Sequence, residues 1–152
     1  MKEPDRDHGS RHDGRDRDAA GRARQARPRD ALGRPLPYGA NGVEPVSEEP
    51  LPPEDALRTA RELVASGRPF AAHEVLEARW KAGPAEERDL WQGLAQLCVA
   101  LTHAARGNPT GAQRLMERAA VRLGTYAATG RGTHGVDLDE VMHCVRERVA
   151  EM

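Results

Sequence analysis

The chain has 152 residues, with 23 Lys and Arg against 24 Asp and Glu. Because these charges nearly balance, no positive field attracts the chain to nucleic acid or to an anionic membrane surface. No stretch approaches the roughly 18 apolar residues of a membrane-spanning helix, and the N-terminus has no apolar signal-peptide core. The length suits one domain of ordinary size. We therefore expect a soluble cytoplasmic protein that binds neither nucleic acid nor a membrane.

The first third of the chain differs in composition from the rest. Residues 1–50 contain ten basic and ten acidic residues, six Pro, six Gly and a single aromatic residue, Tyr38. Such a segment buries too little apolar surface to offset the entropy lost on ordering. The composition predicts a disordered, charged tail over 1–50 and a folded domain over 51–152.

Proline and glycine divide the rest of the chain into five amphipathic segments of helical periodicity. The predicted helices, in chain order, are 53–66, 69–83, 84–107, 109–128 and 137–152. Four residues have the chemistry of tight turns between helices: Gly67, Gly107, Asn108 and Pro109. No segment alternates like a strand, so the pattern predicts an all-α, compact bundle with short connections.

The second predicted helix contains the octet HEVLEARW at 73–80. At 100° per residue, His73 and Glu77 fall one turn apart on the face that also carries the large apolar side chains Phe70 and Trp80. Burying such a pair without partners costs about 1–3 kcal/mol per unsatisfied group. We therefore expect partners on a neighbouring helix.

The third predicted helix offers polar residues in an otherwise apolar run, LWQGLAQLCVAL. Its Gln92, Gln96 and His103 lie within an arc of about 40° by the same geometry. We predict that the two stripes meet and form a hydrogen-bonded polar network between helices two and three. The predicted cluster is His73, Glu77, Gln92, Gln96 and His103, flanked by Phe70, Trp80 and Trp91.

The same cluster admits a metal site. His73 and Glu77 share one helix face, and His103 would complete a set of two histidines and one carboxylate, which suits Zn or non-haem Fe. HEVLE is not the HExxH of a zinc protease, because Glu77 stands where the second histidine belongs. A general acid–base role for His73 would need a substrate pocket and an oxyanion donor, and neither is evident. We expect no cofactor, with Zn or Fe as the alternative.

The remaining histidines and cysteines are assigned no chemistry. His134 lies in a Gly-rich loop and His143 on the predicted outer side of the last helix, and both are interpreted as incidental. Cys98 and Cys144 lie in helical apolar patterns without CxxC spacing, so we expect two buried, reduced thiols.

The runs FAAHEVLEARW and WQGLAQLCVALTHAARGNPTGAQRLMERA resemble the prokaryotic family called domain of unknown function 309. Its pattern is an AHEvLE-x-x-W helix, a QGL-x-Q helix and a GN-x-x-GA turn, and the resemblance covers about residues 53–127. It implies a small all-α bundle and no assigned activity. The matching positions are His73, Glu74, Glu77, Trp80, Gln92, Gly93, Gln96, His103, Gly107, Asn108, Gly111 and Ala112.

Two functions remain open. The first is a binding or scaffold module that holds another macromolecule, such as a protein partner, in a groove between helices. The alternative is a metal-dependent, hydrolase-like enzyme that uses His73, Glu77 and His103. The incomplete catalytic constellation favours the binding module.

Overall fold

The computed structural model divides the chain into two compact units. The described residues are 16–17, 23–24, 30–34 and 49–152. In the first unit, two short strands, β1 (Asp16–Arg17) and β2 (Ala23–Arg24), pair antiparallel with Asp16 opposite Arg24. The predicted tail over 1–50 lies for the greater part outside the described residues.

The second unit comprises residues 31–33 and 45–152 and contains five α-helices, which confirms the all-α prediction. They are α1 (Pro53–Ala65), α2 (Pro69–Ala82), α3 (Arg88–Ala105), α4 (Pro109–Ala128) and α5 (Leu138–Glu151). The sequence predicted that the third helix begins at Pro84. In the structure Pro84 is extended and Ala85–Glu87 forms a 3-10 turn before α3. Such tighter turns are frequent at helix N-termini.

Two connections in this unit use the same turn chemistry. Gly67 and Gly107 adopt the left-handed conformation, with φ of 82° and 81°. In each turn the N–H of the glycine bonds to the carbonyl three residues back, and the next N–H reaches the carbonyl five residues back. This pattern satisfies carbonyls at the end of the preceding helix. Asn108 then caps α4, because its side chain accepts a hydrogen bond from the Gly111 N–H at 3.0 Å.

The helix α3 lies at the centre of the bundle. It packs against α2 and α4, α1 packs on α2, and α5 packs on α3 and α4. The largest fully buried side chains are Trp91, Tyr126, Leu90 and Leu97. Close packing of α3 on α4 depends on Gly93, since a Cβ there would lie 2.6 Å from the Leu123 side chain. No helix among the described residues is long and apolar enough to cross a bilayer.

Residues 31–33 also belong to this second unit. The Leu32 carbonyl accepts a hydrogen bond from Arg106 Nη2 at 2.5 Å. Gly33 is buried with φ of 79°, and the ring of Phe70 occupies the place that a Cβ would take. This short segment therefore covers the Phe70 side of α2.

Candidate functional site

His73 and Glu77 lie one turn apart on α2, as the octet predicts. Their Nε2 and Oε2 atoms are 4.0 Å apart, and Lys81 Nζ lies 3.9 Å from the other oxygen of Glu77. The side chain of His73 is 20% exposed and that of Glu77 is 39% exposed. The Phe70 ring lies beside the imidazole, with ring centroids 5.2 Å apart. The pair is therefore half-buried at the edge of the core.

Burial lowers the pKa of His73 below its ordinary value, although the carboxylate of Glu77 and the backbone of Phe70 act in the opposite direction. The Nδ1 atom is enclosed and forms no hydrogen bond of standard geometry. The imidazole is therefore neutral near pH 7. Burial thus favours the neutral form of the ring over the charged form.

The polar stripe of α3 does not bond to this pair. The Oε1 atoms of Gln92 and Gln96 are both buried without a hydrogen-bond partner, and His103 Nδ1 lies 3.1 Å from Asn108 Nδ2 in the turn before α4. Within the described residues, no hydrogen bond joins His73 or Glu77 to α3. The direct interhelical network that the sequence predicted is therefore not formed.

The reason lies in which neighbour the stripe faces. Gly93, next to Gln92, packs against Leu123 of α4, and Gln96 lines a concavity together with residues of α4. The stripe thus lies toward the seam between α3 and α4. The helical periodicity placed these residues on one face correctly, but it could not say which helix that face meets.

The predicted metal ligands do not converge either. In the part of the chain that the structure describes, no group of three or more His, Cys, Asp and Glu side chains could hold a metal ion. The contact of His103 is instead with Asn108, in the turn before α4. His73, Glu77 and His103 are thus not a ligand set in this fold.

A second polar cluster, at the start of α3, was not predicted as a site. Trp91 is fully buried, and its Nε1–H donates to Glu87 Oε1 at 3.0 Å. His134 Nε2 lies 3.2 Å from the same oxygen, and the imidazole and indole centroids are 5.7 Å apart. His134 therefore makes structural contacts that the sequence did not predict. Because a carboxylate only accepts, Nε2 of His134 carries a proton.

The loop that carries His134 is a tight turn. The Val136 N–H donates to the Thr133 carbonyl at 3.0 Å, and both central residues have positive φ, 53° at His134 and 86° at Gly135. Positive φ is uncommon outside glycine, though histidine tolerates it better than most residues. The contacts with Glu87 and Trp91 hold His134 in this conformation. The turn between α4 and α5 is thereby fastened to the start of α3.

The charges around Glu87 follow from these contacts. Burial tends to raise the pKa of Glu87, but hydrogen bonds from Trp91 and His134 outweigh it, and the pKa lies below its ordinary value. The pKa of Tyr126 is raised by burial and by the Glu87 charge. Its hydroxyl donates to the Gly132 carbonyl at 2.6 Å. The carboxylate of Glu87, ionised at the centre of this cluster, links Trp91 at the start of α3 to His134 in the loop before α5. We call these three residues the clasp. The spacing of four residues between Glu87 and Trp91 is the feature of the sequence that could have predicted part of this cluster.

Among the described residues, an apolar groove of about 610 Å³ is bounded by α1 on one side and α5 on the other. Its floor is formed by the side of α3 that carries Leu94, Leu97 and Leu101. The charged residues on its rim are Arg61, Asp137, Glu140 and Arg148. Because α1 and α5 barely touch each other, the groove remains between them. We call this feature the α1/α5 groove.

Both cysteines line the α1/α5 groove. Cys98 is buried, which raises the pKa of its thiol to about 12, whereas Cys144 is exposed on the rim. The prediction of two buried thiols is therefore wrong for Cys144. The helix α5 lies at the edge of the bundle, and only Met142 and Val145 of that helix are fully covered.

The fold and these sites define a small all-α bundle protein with a helical hairpin, α2 and α3, at its centre. Residues 57–115 match the family described as "Domain of unknown function (DUF309)". This segment contains α2, α3 and their turns, which carry the motif on which the resemblance rests, so the resemblance to this family is confirmed.

A curated relative also matches part of the chain. The chain is 38% identical over 86 residues to "Uncharacterized protein YpuF" of Bacillus subtilis (strain 168), which is 53% of this chain and 48% of the relative. The match thus spans about half the length of that relative. No solved structure matches the chain.

Proposed function

We propose that this protein is a binding module whose α1/α5 groove holds one amphipathic helix of a partner protein. The observation that carries this proposal is an apolar cleft of about 610 Å³ over the central helix, left between two helices that barely touch. Clefts of a few hundred Å³ with apolar walls are the usual form of recognition sites. Because helical walls line both sides, apolar side chains at helical spacing on a partner fit it best.

The rim of the groove favours one orientation of the bound helix. Asp137 and Glu140 lie at the start of α5, and Arg148 lies eight residues after Glu140, which is about 12 Å along the helix. A partner helix with a basic residue near the acidic end and an acidic residue near Arg148 pairs with both. Apolar contact with the floor contributes affinity, and the charges on the rim select the orientation of the bound helix.

The test uses a displayed library of helix-forming peptides, selected against the full chain. We expect binders that share apolar residues at positions i, i+3 or i+4, and i+7. Replacing Cys144→Arg places a long charged side chain on the groove rim and should weaken these peptides by tenfold or more. His143→Arg is the matched control, because His143 is the preceding residue of α5, is 70% exposed and does not line the groove.

Circular dichroism melts of both variants establish that the fold is intact. Binders that are equally sensitive to both variants, or insensitive to Cys144→Arg, would overturn the proposal. So would a groove that takes a small apolar dye but selects no helical peptide. Such an outcome would assign it to a small molecule instead.

We further propose that the module works without a resident metal ion or other cofactor. The support is the chemistry of the lining, because the groove walls are mainly aliphatic. Among the described residues, no three His, Cys, Asp or Glu side chains are grouped so that they could hold a metal ion. Elemental analysis of protein purified without a His tag tests this. Stoichiometric Zn or Fe that is lost in His73→Ala would reverse the proposal in favour of the hydrolase-like alternative.

A cytoplasmic location is part of the same proposal. Its support is the pair of free cysteines, one of them exposed, which suits a reducing compartment. Trapping thiols with an alkylating reagent at the moment of cell lysis tests it. We expect both cysteines to be alkylated after denaturation, and a Cys144 thiol found in a mixed disulfide would contradict the location.

A further inference from the structure

A second concavity, of about 540 Å³, lies between α3 and α4. Its lining residues are Asp89, Gln96, Arg114, Glu117, Arg118, Val121, Arg122 and Thr125. Around the axis of α3, at 100° per residue, Leu94, Leu97 and Leu101 centre about 120° away from Asp89 and Gln96. The concavity is thus on a different face of the central helix from the α1/α5 groove.

Three arginines follow one another by single turns along the α4 wall. Arg122 is neutralised by Asp89, with Nη1 2.9 Å from Oδ1. Arg114 and Arg118 are exposed, and neither forms an ion pair or hydrogen bond with any residue that the structure describes. Two free guanidinium groups therefore lie one turn apart, about 6 Å along the helix axis.

The concavity also contains an exposed apolar side chain and a buried polar atom. Val121 is 70% exposed, the most exposed large hydrophobic residue among those described. Gln96 is enclosed at the α3 wall, and its Oε1 accepts no hydrogen bond within the described residues. The concavity thus offers positive charge and an apolar contact together, whereas Gln96 Oε1 is enclosed within the bundle.

From this combination we infer that the α3/α4 concavity docks an acidic segment of a partner protein. Carboxylates one helical turn apart on the partner match Arg114 and Arg118, because guanidinium and carboxylate pair in a forked geometry. An apolar side chain beside them covers Val121.

A nucleic acid fits the same surface less well. Its phosphates repeat every few ångströms, and they would meet Glu117 and Asp89 as well as the arginines. No aromatic side chain lines the concavity to stack a base. With the α1/α5 groove on another face, a docking site for an acidic segment would make the protein a scaffold that binds partners on two sides. The inference does not depend on the groove, because its contacts are separate.

The test is selection of a displayed helical peptide library against the full chain, with binding measured at low and high salt. We expect a class of binders with acidic residues at i and i+4. Their affinity should fall by tenfold or more in Arg114→Gln with Arg118→Gln, and it should fall again with salt. The matched control is Arg88→Gln with Arg146→Gln, which makes the same charge change at two exposed arginines outside the concavity.

Cys144→Arg should leave this class unchanged, so failure of this site and failure of the α1/α5 groove are separate outcomes. Absence of acidic binders, or equal weakening by both arginine pairs, would overturn the inference. A duplex DNA oligonucleotide or inorganic pyrophosphate that binds more tightly than the peptides, with the same sensitivity to Arg114 and Arg118, would also overturn it, in favour of a phosphate ligand.

Discussion

Oε1 of Glu87 lies 3.2 Å from Nε2 of His134, although 47 residues separate them in the chain. The same oxygen accepts the indole N–H of the fully buried Trp91. One carboxylate atom thereby joins the start of α3 to the turn before α5. This contact fastens the turn from which α5 starts, and α5 forms one wall of the α1/α5 groove.

Replacing Glu87→Leu should lower the free energy of unfolding by about 1–3 kcal/mol, because it leaves the buried Trp91 N–H without an acceptor. Glu87→Gln retains an oxygen acceptor and should cost less. Urea unfolding followed by tryptophan fluorescence measures both. The control is Glu86→Leu, at an exposed neighbour whose side chain bonds to no described residue, and we expect it within about 0.5 kcal/mol of the parent. Equal effects of Glu87→Leu and Glu86→Leu would refute the clasp.

The buried imidazole of His73 should make stability depend on pH. Its pKa in the folded state lies below the ordinary value of 6.5, so the unfolded chain binds the proton more readily as the pH falls. The free energy of unfolding should therefore decrease between about pH 7.5 and pH 5.5. His73→Gln, which does not titrate, should flatten this slope. A slope unchanged in His73→Gln would assign the effect to other groups.

Two helical glycines should respond in opposite directions to alanine. Gly93→Ala places a methyl group 2.6 Å from Leu123, so α3 and α4 must separate, at a cost of about 1–3 kcal/mol. Gly124→Ala meets nothing within 4 Å and should stabilise α4 by up to about 1 kcal/mol, since alanine is the better helix former. Thermal and urea unfolding of the two variants decide this. Effects of the same sign would contradict the packing described.

In the folded protein the two thiols should differ in reactivity, because one is exposed and the other is buried. Cys144 is exposed and should react promptly with a disulfide reagent such as Ellman's reagent. Cys98 is buried with its pKa raised to about 12, so its thiolate is scarce and shielded, and it should react only after unfolding. Cys144→Ser should abolish the fast phase and Cys98→Ser should retain it. A fast phase that survives Cys144→Ser would mean that the bundle opens at α1 and α5.

The helices of this protein follow from its sequence because their ends are local. Gly67 and Gly107 provide left-handed turns, the Asn108 side chain caps α4 through the Gly111 N–H, and Asp137 caps α5 through the Glu140 N–H at 3.1 Å. Each of these contacts spans at most a few residues. The helix bounds other than the start of α3, the all-α class and the half-buried position of His73 beside Phe70 were therefore predictable from periodicity and turn chemistry.

Tertiary structure alone decided which faces meet. Gln92 and Gln96 share a stripe, as predicted, but that stripe faces the seam with α4 and not the pair on α2. Glu87 and His134 meet across 47 residues, and Cys144 is exposed because α5 lies at the bundle edge. Helical periodicity specifies directions around one axis, whereas the crossing of several helices specifies neighbours. That is why the sequence determined the elements of this protein, and only their packing produced the clasp, the groove and the arginine-lined concavity.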